Sequence, residues 1–365
     1  MPRLLASNSP FAARCFGLAL AFWIAASGPA VRADSPPTVR LIAASTTDPA
    51  IDDVIGVHHV AIGDAADRHG HLLLYFPGTT ASAQLYSQLI ERAAVLGYHA
   101  IGLAYENELA VNALCAGMGA SGCHEDVRRE VIFGTDESPL VDVDFDNSAM
   151  NRLDRLLAYL ETTYPGEGWE AYREPSGEVA WQKVVVSGHS QGAGHSAFVA
   201  RLETVARAVL FSGTEPAPWT EAGDFATPPE DMHGFAHRLE PIYPPIQASW
   251  DNIGIPGTPV SVDALPPPFV GSQQLFTLVQ TCLGDPEDNG FYHNCHCVDG
   301  WMPPPLPDGT PHFQYVWDHL FAIEAAPAVP GLGVAGNVVL SLALLAAGLC
   351  GYPRRASPDS RGVPR

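Results

Sequence analysis

The chain has 365 residues, with 19 Lys and Arg against 40 Asp and Glu, and a formal net charge of −21 at pH 7. Such a balance excludes the clustered positive charge with which nucleic-acid binders displace phosphate counterions. Hydrophobic residues make up 47% and charged ones 16%, which excludes wholesale disorder and leaves apolar material for a large core.

Residues 1–33 carry Arg3 and Arg14 ahead of the apolar run from Cys15 to Ala26, and Val31-Arg32-Ala33 places small residues at the −3 and −1 positions. This pattern predicts a secretory signal peptide cleaved before Asp34, with a short membrane anchor as its alternative. The globular domain then spans residues 34–324. His71 to Phe76 is an apolar run stopped by Pro77-Gly78, the mark of a buried strand entering a tight turn. Leu85, Leu89, Ile90, Ala93 and Leu96 recur at helical spacing up to Gly97, and His99 to Tyr105 reads as the next strand.

Cys115 and Cys123 bracket a glycine-rich loop, so a local disulfide is expected in an oxidising compartment. A second helix carries Met150, Leu153, Leu156, Leu157 and Leu160 on one face and ends before Pro165. Lys183 to Ser187 is a β-branched strand, Gln191 to Leu202 a helix, and Ala206 to Phe211 a further strand. The repeated alternation of strand and helix implies right-handed crossovers and an α/β fold with a mainly parallel sheet flanked by helices. Beyond Ser212 seven prolines, from Pro216 to Pro245, break the periodicity. The segment reads as long loops over the carboxyl ends of the strands, with further strands near Met232 to Arg238 and Leu275 to Val279.

Cys282 is positioned to pair with Cys295 or Cys297, which leaves one thiol over. Residues 325–331 read as a Pro- and Ala-rich linker, and residues 332–352 are apolar apart from Asn337 and Ser341. That length crosses a bilayer once, and Arg354-Arg355 in the tail 353–365 obeys the positive-inside rule. The order also resembles the C-terminal sorting signals of bacterial exported proteins. A buried C-terminal helix is the alternative. The expectation is an exported protein of the cell surface or periplasm, held to the membrane by this segment or released when it is processed.

Gly188-His189-Ser190-Gln191-Gly192 follows a predicted strand and opens a predicted helix. In that context Gly-x-Ser-x-Gly lifts a serine hydroxyl above the sheet, with glycines where side chains would collide, and makes Ser190 the candidate nucleophile. A serine needs a base, and the order Ser, acid, His directs attention downstream. His195 falls on the helix behind Ser190, where packing is its expected role. His293 and His296 lie in a loop after the last predicted strand, and His293 is preferred because Cys295 and Cys297 flank His296. The acid is assigned to Glu240, which closes the strand of Met232 to Arg238, ahead of Glu215 and of Asp224, Asp231, Asp251 and Asp263. Gln191 supplies one backbone N–H for an oxyanion, and Thr79 or Thr80 after the first strand supplies the other. His293, Cys295, His296, Cys297 and Asp299 also have the residue types of a zinc site, at no standard spacing, and no metal or cofactor is expected.

Tyr75-Phe-Pro-Gly-Thr79, the Gly188–Gly192 turn, Val209-Leu-Phe-Ser-Gly213 and the late His293 together resemble the α/β-hydrolase superfamily, in particular its secreted bacterial lipase- and esterase-like members. The resemblance covers roughly Val60 to Phe321. It implies that Ser190 is acylated, that His293 relays its proton, that Glu240 orients the imidazole, and that Thr79 and Gln191 hold the oxyanion. Many relatives carry Asp where this chain offers Glu. The implied function is an exported serine hydrolase acting on a small-molecule or lipid carboxylic ester. Alternatives are a peptidase or amidase on the same triad and an inactive hydrolase fold serving as a surface binding protein.

Overall fold

The computed structural model describes residues 35–323, apart from 119–121, 222–224 and 264–265. The predicted signal peptide, linker, apolar C-terminal segment and basic tail lie outside the described residues, as does Asp224. Among the described residues no helix is long and apolar enough to cross a membrane.

The strands are β1 (Thr38–Ile42), β2 (His58–Ile62), β3 (Leu72–Phe76), β4 (His99–Gly102), β5 (Val184–His189), β6 (Arg207–Phe211), β7 (Met232–His237), β8 (Val260–Ser261) and β9 (Gln274–Thr277). They form one sheet in the order β1-β2-β4-β3-β5-β6-β7-β9-β8. Strands from β4 to β8 in that order run parallel, whereas β2 is antiparallel to both β1 and β4. The fold is therefore mixed α/β with a mostly parallel sheet.

Alternation along each central strand feeds a core on either face. Leu72, Leu74, Phe76, Val184 and Val186 join one core, and Leu73, Tyr75 and Val185 the other. The first is covered by helices Cys123–Phe133, Ala149–Thr163, Gln191–Leu202 and Tyr243–Ile253, and the second by helices Ser87–Val95 and Gln314–Leu320. Helix Ala149–Thr163 follows its predicted pattern. Ser148 caps it by accepting from the N–H of Asn151 at 3.2 Å, and Leu153, Leu156, Leu157 and Leu160 are fully buried, each contributing about 2 kcal/mol.

Three expectations are corrected. Leu85 does not share the buried helical face. It lies in the 3₁₀ turn Ala83–Tyr86 before helix Ser87–Val95, whose tighter winding rotates it outward to 43% exposure. The proline-rich stretch after Glu240 is not all loop, because helix Tyr243–Ile253 carries its prolines in the first turn, where no intrahelical N–H is lost. Helix Cys123–Phe133 has no counterpart in the predicted elements. Disulfides join Cys115 to Cys123 and Cys282 to Cys295, which settles the second pairing and leaves Cys297 as a buried free thiol.

Candidate active site

Strand β5 delivers Ser190 to the N-terminus of helix Gln191–Leu202, with Ser190 at φ 56° and ψ −121°. A non-glycine residue at positive φ costs about 1–3 kcal/mol and persists only where its surroundings hold it. Here the Ser190 N–H donates to Phe211 O at 2.8 Å, and Ser190 O accepts from Ala193 and Gly194 N–H. The flanking glycines are required by close approach. A Cβ on Gly192 would sit 2.0 Å from the carbonyl oxygen of Phe76, and one on Gly188 would sit 2.5 Å from Gly192 itself. Gly192→Ala is expected to destabilise the protein by about 3 kcal/mol or more, read as a large drop in melting temperature by circular dichroism. An unchanged melting temperature would mean that strand and helix can separate at this crossing without cost.

Ser190 and His293 line one cavity of about 360 Å³, together with Gly78, Thr79, Leu85, Asn294, Val298 and Trp301. His293 lies on the short helix Phe291–Asn294, and its Nδ1 is 2.5 Å from Glu240 Oε2. A carboxylate only accepts, so Nδ1 carries the proton and Nε2 is left as the basic nitrogen. Glu240 is 2% exposed, and its other oxygen accepts from Ser212 Oγ at 2.6 Å and from the His237 N–H at 3.2 Å. Ser212, directly after β6, has φ 45°, a second strained serine, and that conformation accompanies its hydroxyl's bond to Glu240. Its role was invisible in sequence.

Alternatives to these assignments are occupied elsewhere. His296 is completely buried, with Nε2 3.2 Å from Ser212 Oγ, behind the acid and not on the cavity. Because Ser212 gives its single hydroxyl hydrogen to Glu240, His296 is the donor in that contact. Burial, together with neighbouring His189, holds the His296 pKa well below its ordinary value. Glu215 makes a two-pronged pair with the buried Arg128, from Nε at 3.1 Å and Nη2 at 2.5 Å, and accepts from Trp219 Nε1. Asp251 accepts from Gln274, Asp263 from Thr277 and the Leu278 N–H, and Asp231 ends a 3₁₀ turn before β7. His195 is buried, its Nδ1 3.3 Å from Arg128 Nη1.

The zinc-like cluster does not converge. Cys295 is in a disulfide, His293 faces Glu240, and Asp299 accepts from Ser87 and Gln88. Among the described residues the grouping within reach of one ion is His237, Cys282 and Cys295, and these two sulfurs are bonded to each other, so neither is the thiolate that zinc requires.

Gln191 is the first residue of its helix, where N–H groups lack intrahelical acceptors. The Thr80 N–H donates to Asn107 O at 2.9 Å, which commits it and leaves Thr79 as the available donor of that turn. Thr79 Oγ1 bonds Gln191 Oε1 at 3.3 Å, and the same oxygen accepts from the Val111 N–H at 2.8 Å. The two donor segments are thus pinned to each other.

A further network joins this turn to the histidine loop. His189 Nε2 is 3.0 Å from His293 O, which can only accept, so that nitrogen carries hydrogen. Burial, reinforced by the neighbouring His293, keeps the His189 pKa well below its ordinary value, so Nδ1 accepts from Tyr86 Oη at 3.0 Å. Tyr86 Oη in turn accepts from the Gly78 N–H at 3.1 Å. His189 is the variable residue before the serine in the motif, and its partner Tyr86 gave no signal except an aromatic position in a predicted helical region. No protein-family model matches the chain, and no curated protein matches it.

Proposed function

We propose that this chain is an exported serine hydrolase of the α/β-hydrolase fold that cleaves carboxylic esters through an acyl-enzyme. The observation that carries the reading is the strained Ser190 at a strand-to-helix turn, sharing a cavity with a histidine whose far nitrogen is held by a buried glutamate. The chain order, Ser190, Glu240, His293, is that of the superfamily the sequence resembles.

In this mechanism His293 Nε2 removes the Ser190 hydroxyl proton as Oγ attacks the ester carbonyl carbon. Negative charge moves to the carbonyl oxygen, where the Thr79 and Gln191 N–H groups receive it, aided by the positive end of helix Gln191–Leu202. Glu240 stabilises the imidazolium and fixes its orientation, and Ser212 and the His237 N–H in turn hold Glu240. The imidazolium gives its proton to the departing alkoxide. Water, deprotonated by the same imidazole, then releases the acid and restores Ser190. Two disulfides fit an oxidising, extracytoplasmic compartment, and a membrane tether by residues 332–352 belongs to the same proposal.

The test is covalent labelling. A fluorophosphonate is expected to add once per chain, and mass spectrometry of the digest should place the adduct on Ser190, with His293→Ala cutting the labelling rate by a factor of about 100 or more. Absence of an adduct on Ser190 in folded protein would sink the reading.

A further inference from the structure

Two cavities meet at Ser190, and they differ in size and in whether they contain His293. The larger, of about 360 Å³, includes His293 and is walled by Leu85, Val298 and Trp301. The smaller, of about 70 Å³, includes Gln191, Ser212 and Thr214, is closed by Ile246 and the buried Arg128–Glu215 pair, and does not include His293. Thr79 borders both.

Resting on the serine-esterase reading, we infer that the small cavity is the acyl site and the large one the alcohol site, so that the substrates are short-chain acyl esters, acetates above all, of bulky and largely apolar alcohols. The assignment of sides follows from proton transfer. The leaving alkoxide must lie within reach of the imidazolium that protonates it, so it occupies the cavity that holds His293, and the acyl chain extends to the opposite side of the serine. There the space is about 70 Å³ against about 360 Å³ on the histidine side, so a short acyl chain fits and a long one does not.

The floor of that cavity reinforces the limit. Arg128 is 1% exposed and Glu215 7%, and the two are paired with each other, so they offer a polar end wall of no net charge against which an alkyl chain gains nothing. Ile246, 2% exposed on helix Tyr243–Ile253, closes one side, and Ile242, 43% exposed, stands at its mouth. The alcohol side, by contrast, falls in the size range of small-molecule sites and presents an indole and two aliphatic side chains. In the reaction the acyl C–O bond of the acetate breaks, the alkoxide takes the proton that His293 removed from Ser190, and water then converts acetyl-Ser190 to acetate and free serine.

The experiment uses the full chain and two ester series. With p-nitrophenol held constant, kcat/KM is expected to fall from acetate to octanoate by at least about 100-fold, since a single misfitted methylene is worth roughly 10- to 200-fold. With acetate held constant, 2-phenylethyl acetate should exceed ethyl acetate, alcohols of similar leaving ability, by about tenfold or more. Ile246→Ala should raise the octanoate-to-acetate ratio about tenfold, and Ile242→Ala, at an exposed position, should move it the same way by a smaller factor. Octanoate cleaved as well as acetate by the parent protein, or ratios unmoved by either variant, would overturn the inference while leaving the esterase reading intact. If no ester of either series is cleaved, both readings fail together.

Discussion

Ser190→Ala is expected to lower kcat/KM for p-nitrophenyl acetate by a factor on the order of 10⁴–10⁶, the loss that follows when a nucleophile acting as one unit with its base is removed. His293→Ala is expected to cost nearly as much. Glu240→Ala costs less, on the order of 10³–10⁴, because the imidazole keeps its cavity position while losing the group that fixes its Nδ1 proton. The double variant Ser190→Ala/His293→Ala should be no slower than Ser190→Ala alone, since neither residue has a task without the other. Purified variants with native circular dichroism spectra, assayed at matched concentration, provide the check. A Ser190→Ala protein that keeps a tenth of the parent activity would place the chemistry elsewhere.

Acidification is expected to unfold the protein between about pH 6.5 and 4. His58, His189, His195, His233 and His296 are all buried, and burial pushes each pKa down, to about 3 for His58 and His233 and well below the ordinary value for the other three. Nearby positive groups add to the effect, Arg152 beside His58 and Arg128 beside His195. Below pH 6.5 the unfolded chain takes up protons that the folded one refuses. Their contribution to stability is therefore complete above pH 6.5 and is lost as the pH falls toward the folded-state values. Each site weakens the fold by about 1.4 kcal/mol per pH unit in that window, or about 7 kcal/mol for five. Against a typical total of about 5–15 kcal/mol, one to two pH units suffice. Melting temperatures measured from pH 7.5 to 4.5 should fall steeply below 6.5, and a flat profile would show that these rings gain solvent or partners on protonation.

The residues differ in how much of this they disclose locally. The turn at Ser190 was legible because strand, glycines and helix lie within one short segment. So was the parallel sheet, whose central strands are continuous apolar runs. The choice of acid was not, because Glu240 and Glu215 both close predicted strands. What separates them is Arg128, which comes from a helix that sequence periodicity did not disclose and pairs with Glu215 across 87 residues of chain. Between His293 and His296 the flanking cysteines gave a local signal, but the burial of His296 against Phe211 and Phe235, which separates the two in space, had none. Helix Tyr243–Ile253 was hidden because prolines mark both loops and the first turns of helices. Strands β1 and β2 were missed because five-residue segments outside the parallel core carry little pattern of their own.

The chain of bonds from the Gly78 N–H through Tyr86 and His189 to the His293 carbonyl runs in a single donor-to-acceptor direction. Its two ends lie beside Thr79, the proposed oxyanion donor, and on His293, the proposed base. Substitutions at those ends therefore share intermediaries, and their free energies will not sum. Tyr86→Phe, which deletes one hydroxyl, changes the reference against which any alteration of the histidine loop is measured. A double-mutant cycle across Ser190, pairing Tyr86→Phe with a change in the histidine loop, is therefore expected to report a sizeable interaction energy. In thermodynamic terms the two flanks of Ser190 are one cooperative element, so a change in one resets the energetic cost of a change in the other.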